Sequence, residues 1–281
     1  MTHAAHSEGG GYHILNIVHL VAEMLGDTPV SRFLESFENI IFTVIVITVL
    51  ALLSFFASRN LKMVPGRFQT GFEVVLEALD SLVVGILGPE GRRYTPFLGT
   101  LFLYIFTMNV IGLFPLMKAP TSAAMTLTLG PIQIPIPTVT VALAILVFVY
   151  VQSVGIRKQG IFGYIYHLMG SPKDVFGWVL FPLMIVIHVI GELAKPFSLA
   201  FRLYGNIFGE DVLLAVFIGL GISTLSFAHI PAGVPFQFPF LFLALVTSTV
   251  QAFVFTLLST VYIAMMLPHE EGEHHGQKAH A

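Results

Sequence analysis

The chain has 281 residues, 56% of them hydrophobic and only 10% charged, with a mean hydropathy of +0.86. Soluble domains carry about 25% charged residues, so the composition excludes an ordinary soluble protein and reads as one multi-span membrane domain. The absence of cysteine excludes a disulfide framework and a cysteine metal site, and a formal net charge of −3 offers no basis for nucleic-acid binding.

Residues 1–11 are polar and contain no Lys or Arg, so the positive region that opens a signal peptide is missing. Residues 1–36 are expected to form an external lead with a short surface helix. Its His3, His6, His13 and His19 are scattered and read as an exposed tail, not as metal ligands. Residues 37–56 form the first apolar span, followed by Arg59, Lys62 and Arg67, which mark a cytoplasmic end. Residues 68–86 differ. Phe72, Val75, Leu76, Leu79, Leu82, Val83 and Ile86 repeat at helical spacing, while Glu73, Glu77 and Asp80 fall on another face. That pattern predicts an amphipathic helix at the membrane interface with a solvated acidic face.

Arg92 and Arg93 open the next span, 97–116, which carries Asn109 as a helix–helix hydrogen-bonding group. Residues 118–137, rich in Pro, Thr and Ser, are expected to be a loop. Residues 138–155 cross back to Arg157 and Lys158. A connector, 161–174, has Tyr164 and Tyr166 suited to the interface. A long run, 176–222, follows, broken only by Pro182 and Pro196 as possible kinks. After an outer loop, 223–238, the last span is 240–267, with Ser248, Gln251, Ser259 and Tyr262 on one stripe. The tail, 268–281, is charged and cytoplasmic, and its His269, His274, His275 and His280 read as composition rather than a metal site. The cytoplasmic side collects Arg59, Lys62, Arg67, Arg92, Arg93, Arg157, Lys158, Lys173 and Lys278, against Arg32 and Lys118 outside. The bias supports five crossings, an external N-terminus and a cytoplasmic C-terminus.

The stretch from Gly191 to Asp211 holds the chemistry. A charge at membrane depth costs about 2.5–3.5 kcal/mol on the mildest scale. Yet this apolar run keeps Glu192, Lys195, Arg202, Asn206, Glu210 and Asp211. At about 100° per residue, His188, Gly191, Lys195, Ser198, Arg202, Gly205, Asn206 and Gly209 share one stripe. Gly205 and Gly209 allow close approach of another helix. Asp211 points to the opposite side from Arg202, and Glu192 and Glu210 share a third direction, about 27 Å apart. Glu192 and Lys195 could simply pair at i, i+3, and Gln251 could be only a helix–helix contact. Arg202 has no acid on its stripe.

ELAKPFSLAFRLYGNIFGEDVLL resembles the signature helix of subunit a of the rotary F-type ATP synthase, and VTSTVQAFVFTLLSTVYIAMML resembles that family's terminal segment. The resemblance implies an all-α membrane fold with five crossings and an interfacial helix, its last two helices long and tilted around a rotor ring. It implies a stator domain over 37–267 that is not itself catalytic and carries no cofactor. It implies a proton path of two half-channels, in a bacterial inner membrane, against a ring of c subunits, with subunit b of the peripheral stalk and the remaining ATP synthase subunits as further partners. On this resemblance Arg202 faces the ring carboxylates. Asn206 and Gln251 accompany it, Asp211 and Glu210 serve the outer half-channel, and Glu192 and Lys195 lie toward the cytoplasmic one. Two positions depart from the family pattern: His188 stands where many relatives have glutamate, and Ala244 where some have histidine. The ring carboxylate's surroundings, outside this chain, choose between H⁺ and Na⁺. The rival classes are a secondary ion transporter, which should show an internal repeat, and a structural membrane assembly subunit.

Overall fold

The computed structural model describes residues 17–26, 28–59, 66–114, 124–129, 132–168, 175–226 and 236–267. Two short helices, α1 (Ile17–Leu25) and α2 (Pro29–Ser36), precede the first span, α3 (Glu38–Arg59). Thr28 caps α2 by accepting from the Ser31 amide at 3.3 Å. Next come α4 (Arg67–Leu87), a 3-10 turn (Pro89–Arg93) and α5 (Thr95–Gly112). A hairpin of β1 (Ala124–Leu129) and β2 (Ile132–Pro137) leads into α6 (Thr138–Leu168), α7 (Val175–Ser226) and α8 (Phe238–Met266). The histidine-bearing segments 1–16 and 268–281 lie outside the described residues.

Among the described residues, five helical stretches are long and apolar enough to cross a membrane: Glu38–Ala57, Thr95–Gly112, Thr138–Tyr166, Phe181–Gly221 and Phe238–Met266. They match the five spans read from the sequence. The chain is an all-α multi-pass membrane protein with one small extended insertion. That insertion corrects the loop expected at 118–137: Ala124 pairs with Pro137 and Leu129 with Ile132 in an antiparallel register. Its segments, AMTLTL and IQIPIP, alternate with period two. Prolines are tolerated because each strand of a two-stranded ribbon is an edge.

α8 is the central helix, packing on α4, α5, α6 and α7. Its buried face mixes small and hydroxylic residues, Ala244, Ser248, Ala252, Thr256, Ser259 and Thr260, with the larger Phe255, Ile263 and Met266. Small residues let neighbouring backbones approach closely in a membrane. Three of the hydroxyls are satisfied within the helix: Ser259 donates to the Phe255 carbonyl at 2.8 Å, Thr256 to that of Ala252 at 2.9 Å and Thr260 to that of Thr256 at 2.8 Å. Around this face lie Leu98, Phe102 and Ile105 of α5, Val147 and Val151 of α6, and Leu199 and Leu203 of α7.

α4 joins this core through Leu79 and Val83, while Glu73 and Glu77 stay exposed. Asp80 is half-buried instead of belonging to a solvated face. It accepts from the Thr95 hydroxyl at 2.8 Å and meets Arg92 at 3.4 Å, which fixes the start of α5. The expected connector at 161–174 is helical through Leu168, but Gly160 breaks α6 with φ 73° and ψ 163°. A side chain would strain that backbone, so glycine lets 161–168 fold back toward the core. Tyr164 is thereby brought against Gln152.

Candidate functional site: two polar clusters and an open cation on the long helix

α7 has 52 residues, or about 78 Å at 1.5 Å per residue. That length far exceeds a hydrocarbon core of about 30 Å, so the helix must run obliquely or project beyond it. Pro196 lacks the amide that would bond the Glu192 carbonyl, which places a weak point in the ladder beside the Glu192–Lys195 pair. Leu199, Ala200, Leu203, Ile207 and Leu214 are buried and define the face that α7 turns to the bundle. Arg202 and Asp211 flank that face from opposite sides, as their nine-residue separation requires.

Arg202 is exposed and pairs with no carboxylate among the described residues. Its guanidinium lies within electrostatic reach of the Tyr262 phenol. Gly191, Gly205 and Gly209 on its stripe are open: a methyl added at any of them would meet nothing within 4 Å. Among the described residues nothing packs on this GxxxG.

Glu210 is the hub of the first cluster. Asn206 Nδ2 donates to Glu210 Oε1 at 2.6 Å, the Thr247 hydroxyl donates to the same oxygen, and Ser248 reaches Oε2 at 3.4 Å. The carboxylate therefore ties one turn of α7 to α8. Ala244 is buried, and Glu210 meets the hydroxyls of Thr247 and Ser248. One turn along α8, Gln251 is buried with its Nε2 unpaired within the described residues. Asp211 is half-buried, two turns from Tyr204 on the same face and within its electrostatic reach.

The second cluster lies about 27 Å down the helix from the first. Lys195 Nζ forms an ion pair with Glu192 Oε1, and the two side chains are only 16% and 17% exposed. A buried pair is held only when its other polar atoms are also met. Here Gln152 Nε2 donates to Glu192 Oε2 at 3.0 Å, Tyr164 donates to Gln152 Oε1 at 2.7 Å, and the Lys195 ammonium sits 5.5 Å from the Tyr262 ring centre. Beside the pair is a crevice of about 10 Å³, lined by Val151, Pro196, Leu199 and Tyr262 among others. That is close to the least space that holds one water. His188, a turn further on, has Nδ1 at 2.9 Å from the Met184 carbonyl. A carbonyl only accepts, so Nδ1 carries the proton and Nε2 is the free basic nitrogen of the neutral ring.

The matching family model is that of the ATP synthase A chain, and it covers residues 40–264. The chain belongs to that family. It is 44% identical to ATP synthase subunit a of Protochlamydia amoebophila, over 92% of this chain and 90% of the relative. It is 38% identical to the subunit a of Solidesulfovibrio magneticus, over 93% and 98% of the two chains. It is 35% identical to that of Oleidesulfovibrio alaskensis, over 87% and 92%.

Of the residues singled out by sequence, the structure gathers Asn206 and Glu210 in one cluster and Glu192 and Lys195 in another. It leaves Arg202 apart from both and aligns His188 with the second. Glu210, read as sharing the role of Asp211, is hydrogen-bonded to α8. Three participants were missed: Thr247, Gln152 and, as a hydrogen-bonding group, Tyr164. Thr247 and Gln152 carried a signal, each being a polar residue inside an apolar span. Tyr164 carried none, because its role depends on the break at Gly160.

Proposed function

We propose that this chain is the non-catalytic membrane stator of a rotary ATP synthase in a bacterial inner membrane. In this reading protons reach and leave a ring of carboxylate-bearing subunits through two half-channels in the stator, and the ring's rotation couples that flow to ATP synthesis. The observation that carries the reading is Arg202: an exposed guanidinium with no carboxylate partner among the described residues, on a stripe whose glycines are open to a close partner. Intramembrane arginine is costly and is retained for function.

Arginine stays protonated because its intrinsic pKa is above 12. Facing the ring, it favours the ionised form of each passing carboxylate, so each carboxylate must release its proton before passing. The same charge keeps protons from hopping straight from one half-channel to the other. Protons then cross only by riding the ring, driven by about 2.3 kcal/mol per charge per 100 mV. Glu210 and Asp211 load the ring from the outer side, with Asn206, Thr247, Ser248 and Gln251 lining their path. On the cytoplasmic side the line Tyr164–Gln152–Glu192–Lys195 orders the exit, and the free Nε2 of His188 takes up the proton that a glutamate handles in relatives. The flanking Arg92, Arg93, Arg157 and Lys158 support that orientation.

The test is Arg202→Ala in membrane vesicles of matched subunit content, reading ATP synthesis together with passive proton permeability. Synthesis should fall to background while the leak persists or rises. Arg202→Lys, which loses the planar fork and the very high pKa, should fail as well. Normal synthesis with Arg202→Ala would remove the core of this reading.

A further inference from the structure

A second cationic site lies away from α7. Where the 3-10 turn and the start of α5 meet the end of α6, a groove of about 720 Å³ is lined by Arg93, Tyr94, Phe97, Leu146, Val149, Tyr150, Ser153, Val154, Arg157 and Lys158. Its materials are sorted along the helix axis. No charged residue occurs in α6 from Thr138 to Ile156, and Arg157 and Lys158 are the first. The lower wall is therefore apolar, with a floor made by the stacked rings of Phe97 and Tyr150, 3.7 Å apart. The upper rim is a collar of cations at the level where the spans end.

The collar has excess charge. Glu90, on the turn, meets Lys158 at 3.1 Å and Arg93 at 3.6 Å. Lys158 and Arg93 together hold the Glu90 carboxyl below its ordinary range. Arg157 is exposed and has no carboxylate partner among the described residues. The collar thus sets three cations against one carboxylate, two of them sharing it, and the guanidinium of Arg93 rests 5.0 Å from the Tyr94 ring centre, which steadies it without neutralising it.

We propose that this groove is a binding site for an anionic phospholipid, its phosphate held by Arg157, Lys158 and Arg93 and its acyl chains lying along Phe97, Leu146 and Val149. Basic pockets between membrane helices suit anionic head groups, each surface Lys or Arg being worth about 1 kcal/mol. The vertical order of the groove selects a lipid over a free phosphate, which has no use for an apolar wall below the cations. It also selects a lipid over a partner helix, which would have to supply carboxylates at one end of an otherwise apolar face. The resident would fill the gap between α5 and α6 and cancel the surplus charge of the collar.

The experiment uses the protein purified with its partner subunits and placed in phosphatidylcholine nanodiscs. A trace of phosphatidylglycerol carrying a diazirine near the head-group end of one acyl chain is the probe. Illumination should label peptides containing Phe97 and residues 146–158. Unlabelled phosphatidylglycerol should compete, and neither added phosphatidylcholine nor inorganic phosphate should. Arg157→Gln should lower capture about fivefold, the equivalent of one surface cation, while Arg157→Lys should retain it. Glu90→Gln, which frees Lys158 and Arg93, should raise it. Peptides of α3 serve as the lipid-annulus reference and should be labelled alike by phosphatidylcholine and phosphatidylglycerol probes. Equal labelling of the groove by both probes would overturn the proposal, as would competition by inorganic phosphate alone, a cross-link from the groove to another subunit in place of lipid, or unchanged capture in Arg157→Gln.

Discussion

α3 and α7 are the two spans that the bundle covers least: 17% of the most apolar window of α3 is buried, and 11% of that of α7. What they leave uncovered differs. α3 presents Ile40, Val44, Ile47, Leu52, Phe55 and Phe56, side chains that a hydrocarbon solvent accepts. Its threonines are closed on their own backbone, Thr43 donating to the Asn39 carbonyl at 2.7 Å and Thr48 to that of Val44 at 2.8 Å. α7 also presents Phe197, Phe201 and Phe208, but beside them runs a strip of Gly191, Ser198, Arg202, Gly205 and Gly209. Lipid tails offer nothing to a guanidinium, and a flexible tail gains little from a flat glycine surface. On the function proposed above, similar exposure therefore means two things: α3 faces lipid, and α7 faces a packed, charge-bearing partner.

The largest effect expected from that contrast comes from adding bulk. A methyl at Gly205 or Gly209 meets nothing within 4 Å, so Gly205→Leu and Gly209→Leu should fold, gaining up to about 1 kcal/mol of helix propensity. If a second helix packs on the strip, each change should nonetheless bring ATP synthesis in vesicles close to background at normal subunit content. The matched change on α3, Ala51→Leu at an exposed position, should leave synthesis untouched. Wild-type synthesis in Gly205→Leu would mean that lipid covers both helices and would collapse the contrast.

A smaller effect separates the two acids on the inner flank of α7. Asp211→Asn should slow proton-driven synthesis strongly, and Asp211→Glu should keep much of it. Glu210→Gln removes a charged acceptor shared by Asn206, Thr247 and Ser248. Hydrogen bonds to charged groups are worth about 1.5–3 kcal/mol, so a slowing of about tenfold is expected. The double variant should neither synthesise nor pump. Unimpaired ATP-driven pumping by the double variant would remove both acids from the path.

The sequence disclosed the spans because twenty apolar residues in a row have few alternatives. It disclosed Arg202 because a cation at that depth contradicts its surroundings. The directions on α7 were also legible, since a single helix obeys one angular rule: Glu192 and Glu210 do share a side, and both face neighbouring helices. What the rule does not give is the partner across the gap. Glu210 is hydrogen-bonded to α8 because Thr247 and Ser248 happen to lie opposite it, which only the packing of α7 on α8 decides. The hairpin at 124–137 was hidden by its prolines, which argued for a loop although the alternation beneath them was that of strands. Asp80 looked solvated because its neighbours Glu73 and Glu77 are, while Thr95 and Arg92 come to it from beyond the turn.

The smallest effect concerns the line that reaches the Glu192–Lys195 pair from outside α7. Tyr164→Phe removes one hydroxyl, donated to Gln152 at 2.7 Å, and no volume. A neutral hydrogen bond contributes about 0.5–1.5 kcal/mol net, so synthesis should slow between about twofold and about tenfold. Gln152→Leu goes further, because it leaves Glu192 Oε2 buried without the donor it meets at 3.0 Å. An unsatisfied buried carboxylate oxygen costs more than the bond itself, so Gln152→Leu should exceed Tyr164→Phe. The two effects should not add in the double variant, since Tyr164 acts through Gln152. The comparison on α3 is Thr48→Val, which removes a hydroxyl bonded only to its own helix and should change nothing. If Tyr164→Phe and Gln152→Leu are equally silent, the Glu192–Lys195 pair is a structural clasp, like the threonines of α3, and the cytoplasmic path runs through His188 alone.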